Sequence, residues 1–304
     1  MKKIIVLWIV IFIVTGRMSA GDNPERDENG NIVIGVIVNN VANIEKELAD
    51  LHESGFGACQ LGYRTDYDQT TAERLKKAAK ANHIKITTLI WNVPGAVWTF
   101  LDGPSTIGIV PRERRQEKVG LYKKAIDFCA MADIPAFHSH FGFVPEDPKN
   151  ELYGEFIAAM RDLANYAKER GVNLLYETGQ ETPITLIRSI KDIGTGNVFI
   201  NCDLANLVMY GKANSLDAVK MFGTLIKEFH AKDGRYPTDP YLLGEEVNIP
   251  EGEVDFPAVI RELKKQNFKG AIIIEREFGT NQRDYVIRTK KYLEELIAEE
   301  NVKK

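Results

Sequence analysis

Cysteine is scarce. Three in 304 residues cannot build a disulfide scaffold, and Cys59, Cys129 and Cys202 read as free, buried, small apolar groups. Positive charge is short as well: 39 Lys and Arg against 43 Asp and Glu leave a net charge of −4. With no basic surplus to hold a phosphate backbone, nucleic acid is not an expected partner. No G-x-G-x-x-G or P-loop occurs, which removes the usual signature of a doubly wound nucleotide-binding sheet. The unbroken apolar run Ile4 to Val14 falls short of the ~20 residues that a membrane span needs. What remains, 44% hydrophobic and 27% charged, is ordinary for a folded globular chain and excludes disordered, collagen-like and coiled-coil classes.

The first twenty residues, MKKIIVLWIVIFIVTGRMSA, place Lys2 and Lys3 before that apolar run and Ser19-Ala20 after it. This is the pattern of a secretory signal peptide, with an uncleaved anchor as the alternative. Residues 1–20 are therefore expected to be a signal, residues 21–30 (GDNPERDENG) a polar linker, and residues 31–300 the folded body. The expected location is periplasmic or extracellular, with no membrane contact once the signal is cleaved. Loss of Lys2, Lys3 and Arg17 would take the net charge from −4 to −7.

The body alternates strand and helix. Strand candidates lie at 31–38, 58–62, 84–91, 136–141, 173–177, 198–203, 226–231 and 270–275. Several are apolar throughout, as parallel strands covered on one face and packed inside on the other should be. Between them run helical patterns. Phe156, Met160, Leu163 and Ala167 mark one face of 152–169, and Asp255 with Pro257 opens 255–266 over Phe256, Val259, Ile260 and Leu263. A last helix at 284–299 turns Val286, Leu293 and Leu296 inward. Eight such units predict a single α/β domain, a closed (β/α)8 TIM barrel. The longest irregular stretch, 232–254, is long enough to be functional.

Function in such a barrel sits at the C-terminal ends of the strands. The last four candidates end in or carry Glu177, Asp203, His230 and Glu275. Neighbouring strands would bring these side chains to one point. Three carboxylates and an imidazole suit one divalent cation, Mn2+, Mg2+ or Co2+, with Zn2+ admissible. Without a cation, carboxylates so close would repel and some would hold protons.

The segments LLYET (174–178), CDLANLVMYG (202–211), FHAKDG (229–234), LGEEVNIPEGEVDF (243–256) and IIIERE (272–277) resemble, in order and spacing, the xylose isomerase-like family of sugar isomerases and epimerases over residues 31–298. The resemblance implies that Glu177, Asp203, His230 and Glu275 hold one cation and that Glu177 and Glu275 also form the acid/base pair. Well-studied epimerases of the family carry a substrate-binding histidine three residues after the aspartate. This chain has Asn206 there, so ketose 3-epimerase specificity does not transfer directly.

Such a site removes a proton from carbon beside a carbonyl while the cation steadies the enediolate. Returning the proton to the opposite face gives an epimer, and returning it to the neighbouring carbon gives an aldose–ketose exchange. If a leaving group stands β to the carbanion, the outcome is elimination. The expected activity is therefore a metal-dependent sugar isomerase or epimerase on a small exported carbohydrate. The alternative is a 3-keto-glycoside lyase, and remoter readings are a noncatalytic sugar-binding barrel and an AP endonuclease-like nuclease. Five histidines and the acidic balance weigh against the nuclease. Self-association is left open. Further candidates for substrate contact are His138 and His140 on strand four, Asn206, Lys232 two residues after His230, Arg235 and Glu246 in the long loop, and an aromatic wall from Trp91 and Trp98.

Overall fold

The computed structural model describes residues 32–39, 41–277 and 282–302. The expected signal and linker, 1–30, lie outside these residues. Eight parallel strands form a closed barrel: β1 (Ile34–Val38), β2 (Ala58–Gly62), β3 (Lys85–Ile90), β4 (Ala136–Ser139), β5 (Asn173–Glu177), β6 (Val198–Asp203), β7 (Ile226–Ala231) and, closing against β1, β10 (Ile272–Ile274). Two short strands, β8 (Asp233–Gly234) and β9 (Glu246–Val247), pair antiparallel in a separate ribbon. The barrel closes through Gly35 opposite Ile273. A Cβ on Gly35 would stand 2.5 Å from the Ala58 carbonyl oxygen, so only glycine permits this approach.

Helices cover the outside: α1 (Ile44–Glu53), α2 (Gln69–Ala81), the single turn α3 (Gly103–Thr106), α4 (Arg115–Met131), α5 (Glu151–Glu169), α6 (Pro183–Ile193), α7 (Leu204–Met209), α8 (Ser215–Phe222), α9 (Phe256–Lys265) and α10 (Gln282–Val302). Their starts follow local chemistry. Asp255 caps α9 by accepting the Ala258 N–H at 3.0 Å, and Asn150 caps α5 through the Leu152 N–H at 2.9 Å. Phe156, Met160, Leu163 and Ala167 of α5 are buried, as are Phe256, Val259, Ile260 and Leu263 of α9. Leu293 of α10 is buried, with Val286 and Leu296 packed half-buried beside it.

The outward side chains of the strands join the helices in one large core. The inward ones are layered. At the N-terminal end of the barrel, Ala58, Ala271 and Ile273 form a small apolar cluster with Val33 and Ile37 against it. Above it the interior turns polar on the strands that are not apolar throughout: Gln60, Thr88, Asn201 and Glu228 are all buried. Glu228 accepts from the hydroxyls of Thr87 and Thr88 across the barrel. The first and last barrel strands are shorter than their sequence patterns: 31–38 begins only at Ile34, and 270–275 is trimmed at both ends to Ile272–Ile274. The stretch 232–254 holds the β8–β9 ribbon, and the connection 91–114, with only α3 inside it, is equally long. Cys59, Cys129 and Cys202 are buried and form no disulfide among the described residues. Among the described residues, no helix is long and apolar enough to cross a membrane.

Candidate active site

Register brings the four residues to one level. Asp203 is paired with His230 between β6 and β7, Glu177 with Asn201 between β5 and β6, and Glu275 follows β10 with its N–H on the Ala231 carbonyl at 3.2 Å. Side chains on alternate positions face inward, so Glu177, Asp203 and His230 meet inside the mouth and Glu275 closes over them. One ligand atom from each lies within 4.8 Å of every other. His230 Nδ1 is the hub, 3.1 Å from Glu177 Oε1, 2.9 Å from Glu275 Oε2 and 3.7 Å from Asp203 Oδ2.

The orientation of each group is set by its other bonds. Asp203 Oδ1 accepts the Asn206 N–H at 2.8 Å, and its backbone is locked to Thr178 by two hydrogen bonds, so Oδ2 faces the centre. His230 Nε2 lies 2.8 Å from Gln60 Oε1. Because that oxygen can only accept, Nε2 carries the proton of a neutral His230 and Nδ1 keeps its lone pair for the centre. Gln60 is held in turn: its amide nitrogen donates to Asn201 Oδ1 at 3.3 Å, and the Asn201 amide donates to Glu177 Oε2. A buried amide relay thus joins two of the four residues across the barrel.

Burial opposes every charge here. It pushes the Asp203 carboxyl up to about 6 against the pull of Lys232. Glu177 suffers the same penalty, yet His230 and His138 outweigh it and hold the carboxyl well below its usual range. Lys232 and His230 do the same for Glu275. Reciprocally, burial would neutralise His230, but Glu177 and Glu275 keep its imidazolium well above the ordinary value. Lys232 is buried with Nζ 2.9 Å from Asp203 Oδ2, 3.0 Å from Glu275 Oε2 and 2.7 Å from Glu277 Oε1.

These residues fit a divalent cation. Asp203 Oδ2, His230 Nδ1 and Glu275 Oε2 are buried, point at one another and complete no well-aligned hydrogen bond, and the single charge of Lys232 is shared between the two carboxylate oxygens. Polar atoms so placed are costly unless something positive joins them.

The remaining candidates divide. His138 Nε2 stands 3.0 Å from Glu177 Oε2, and its ring packs edge-on to His230 at 5.4 Å. Asn206 Nδ2 reaches Glu177 Oε1 at 3.4 Å. His140 lies just beyond β4, with Nδ1 3.0 Å from Gln180 Oε1 and Trp98 edge-on at 4.7 Å. The structure does not bring Arg235 or Glu246 to the four. Arg235 is exposed and bound to Glu245 at 3.0 Å and to the Glu251 carbonyl. Glu246 is turned to Arg276 at 3.0 Å and to the Glu277 N–H, pinning the ribbon to the exit of β10. Trp91 packs edge-on to Tyr63 and Tyr122 as wall and core, whereas Trp98 is exposed at the mouth. Sequence reasoning missed Gln60, Asn201, Gln180 and Tyr210. For the first two a signal existed: one amide inside each otherwise apolar run, ACQLG and VFINC.

A family model for the xylose isomerase-like TIM barrel matches residues 48–296, and the chain belongs to that family. A xylose isomerase domain protein from Planctomyces limnophilus shares 26% identity, with a TM-score of 0.81 over 88% of this chain and 99% of that one. A solved L-ribulose 3-epimerase, 16% identical with a TM-score of 0.70 over 88% of this chain and 96% of its own, shares the fold. By sequence, an inosose dehydratase of Clostridium perfringens is 24% identical over 182 residues, 54% of this chain and 59% of that protein. The chain spans about three-fifths to two-thirds of the curated relatives it matches. Epimerases and dehydratases thus stand among the proteins this chain is similar to.

Proposed function

We propose that this protein moves a proton at the carbon beside a carbonyl of a small carbohydrate, as a metal-dependent isomerase or epimerase. One observation carries the reading: Glu177 and Glu275 approach the same His230 nitrogen at 3.1 and 2.9 Å, with Asp203 completing the set. A cation bound there supplies Lewis-acid stabilisation of an enediolate. Mn2+, Mg2+ or Co2+ suit the three carboxylates and one imidazole best.

The chain's own residues divide the remaining work. One glutamate accepts the proton as the C–H bond breaks and its electron pair moves toward the carbonyl oxygen. The other, across the common point, returns a proton. His138 and Asn206 hold the Glu177 carboxylate in place. Lys232, buried with its ammonium on Asp203, Glu275 and Glu277, balances part of their charge, and a substrate oxygen would take its donation by replacing one of these acceptors. The absence of a basic surplus agrees with a small-molecule substrate, and the N-terminal pattern supports action in the periplasm or outside the cell.

Elimination is the second reading. The similarity to an inosose dehydratase favours it, because loss of a β-substituent begins with the same proton abstraction. On a 3-keto-glycoside the leaving group would be the aglycone.

The test is incubation of the metal-loaded protein in D2O with free sugars and 3-keto-glycosides, read by NMR and mass spectrometry. Deuterium at one carbon beside the carbonyl, or an unsaturated keto sugar with a released aglycone, is expected. No exchange and no product with any substrate would overturn both readings.

A further inference from the structure

Beside the acidic centre, five side chains form a circuit, joined by contacts except where the backbone alone links Phe100 to Trp98, that the proton-transfer reading does not use. Trp98 packs edge-on to His140 at 4.7 Å, and His140 Nδ1 meets Gln180 Oε1 at 3.0 Å. Gln180 lies beside Tyr210, and Tyr210 packs against Phe100 at 5.9 Å, two residues from Trp98. The circuit abuts the centre. A Cβ on Gly179, next to Gln180, would stand 3.1 Å from Asn206 Cβ and 3.5 Å from the Tyr210 ring, and Asn206 reaches Glu177.

Its polar atoms have unspent capacity. Gln180 and Tyr210 are 2% and 5% exposed, and Gln180 Nε2 and Tyr210 Oη approach each other without completing a well-aligned hydrogen bond, so each keeps a proton to donate. Burial keeps His140 below its ordinary pKa and therefore neutral, so with Nδ1–H given to Gln180 its Nε2 is an acceptor. Around these atoms the wall is apolar, and Val97, Trp98 and Leu101 stand exposed on the same loop. Exposed apolar side chains grouped beside buried polar atoms mark a binding site more than a bare surface. An apolar ligand would leave Gln180 and Tyr210 unsatisfied, and a purely polar one would leave Trp98 wet. A pyranose ring, with a C–H face and hydroxyl edges, satisfies both.

We infer that this circuit is a second sugar subsite, so that the substrate is a glycoside carrying a further ring rather than a free monosaccharide. The inference rests on the reaction proposed above and fixes the substrate class for it. The ring that reacts sits at Glu177 and Glu275, and its glycosidic neighbour lies over Trp98 with hydroxyls on Gln180, Tyr210 and His140.

Two measurements on the full metal-loaded protein test it. Saturation-transfer NMR uses cellobiose, maltose, lactose and methyl β-glucoside as unreactive probes. Contact with both rings of at least one disaccharide is expected, and contact with one ring only, or none, overturns the subsite. Kinetics compare the 3-keto derivatives of the same compounds, read as solvent deuterium exchange or product release. A higher kcat/KM for a disaccharide is expected. Trp98→Ala and Tyr210→Phe should each lower the disaccharide-to-monosaccharide ratio of kcat/KM by about tenfold, the loss of one hydrogen bond or ring contact. Equal kcat/KM for both classes, with the ratio unmoved in both variants, overturns the inference while leaving the proton-transfer reading intact. Absence of exchange in every substrate would instead defeat that reading, and the NMR contacts would still decide the subsite.

Discussion

The two sides of the barrel mouth have the same backbone and opposite chemistry. Where β1, β2 and β3 end, at Val38, Gly62 and Ile90, the wall continues into Tyr63, Trp91 and Tyr67, aromatic rings packed edge to edge. Where β5, β6, β7 and β10 end, it consists of Glu177, Asp203, His230 and Glu275 with Lys232 among them. The first side gains from every apolar surface removed from water, at about 25 cal/mol per Å2. The second loses hydration from charges that compensate only one another. The fold tolerates the second side because the first, with the helical shell, fixes the backbone. Thr178 and Asp203 then lock the charged strand ends by hydrogen bonds that do not depend on a ligand.

The comparison breaks most sharply if one acid of the charged side is made neutral. Glu177→Gln keeps the shape and one of the two accepting oxygens that the Asn201 and Asn206 amides use, but removes the base. We expect kcat for proton exchange to fall by about 10^3-fold, measured by deuterium incorporation, with the cation still bound by calorimetry. Unchanged exchange would assign the chemistry elsewhere. Adding the cation should act on the same side and on stability. At about 100 times Kd the gain is ~2.7 kcal/mol, a rise of roughly 5 °C in Tm for a chain of this size. The pH dependence has a definite sign. Without a cation, Glu177 and Glu275 favour the protonated form of His230, and its raised pKa should contribute stability that is complete below the ordinary imidazole value and fades as pH rises through the folded value. Since the cation must displace that proton, the thermal shift on adding Mn2+ should grow with pH. A shift that shrinks with pH would show that His230 is not a ligand.

Gln60 links the two sides, since it stands on β2 and serves His230 on β7. Gln60→Leu removes the acceptor that fixes the imidazole, and a 10–100-fold loss of Mn2+ affinity is expected from comparable outer contacts. Calorimetric titration checks it, and an unaltered affinity would mean that the relay only packs the barrel.

How much of this was legible in the sequence follows the same division. The strands and their order were visible because their outward faces are apolar, and Glu177, Asp203 and Glu275 were visible because a carboxylate ends an apolar run. Lys232 was foreseen as two positions from His230 on the same side. Gln60 and Asn201 were not singled out, because one amide in an apolar strand reads as noise until a partner on a distant strand is seen. Arg235 and Glu246 were placed near the site by loop length alone. Loop length does not say which way a ribbon folds, and Asp233 decides that by accepting the N–H groups of Gly234, Gly252 and Val254.

A buried acid outside the cluster sharpens the contrast. Glu181 accepts the Val144 N–H at 3.1 Å, and burial raises its carboxyl from 4.5 to about 8. It is protonated in the folded protein where the unfolded chain is ionised. Stability should therefore fall as pH rises from about 4.5 to 8 and level off above, by at most ~5 kcal/mol. Glu181→Gln keeps the acceptor and cannot ionise, so urea unfolding should lose this slope, with the variant more stable at pH 8 and equal to the parent near pH 4. A parent whose stability rises over that range would mean that Glu181 has a cation beside it.

The smallest effect belongs to Arg235. Its guanidinium is 50% exposed and bound to Glu245, itself 69% exposed, on the outer side of the ribbon. Exposed ion pairs contribute little, because water screens both charges and two long side chains must be ordered to meet. The ribbon is also held without it, through Asp233 and through Glu246 on Arg276. Arg235→Ala should therefore change kcat/KM by less than about twofold and leave the salt dependence flat. If kcat/KM fell tenfold instead, the ribbon would have to swing inward when substrate binds, bringing Arg235 over Glu275. The acidic side of the mouth would then be completed only in the complex, while the aromatic side is finished beforehand.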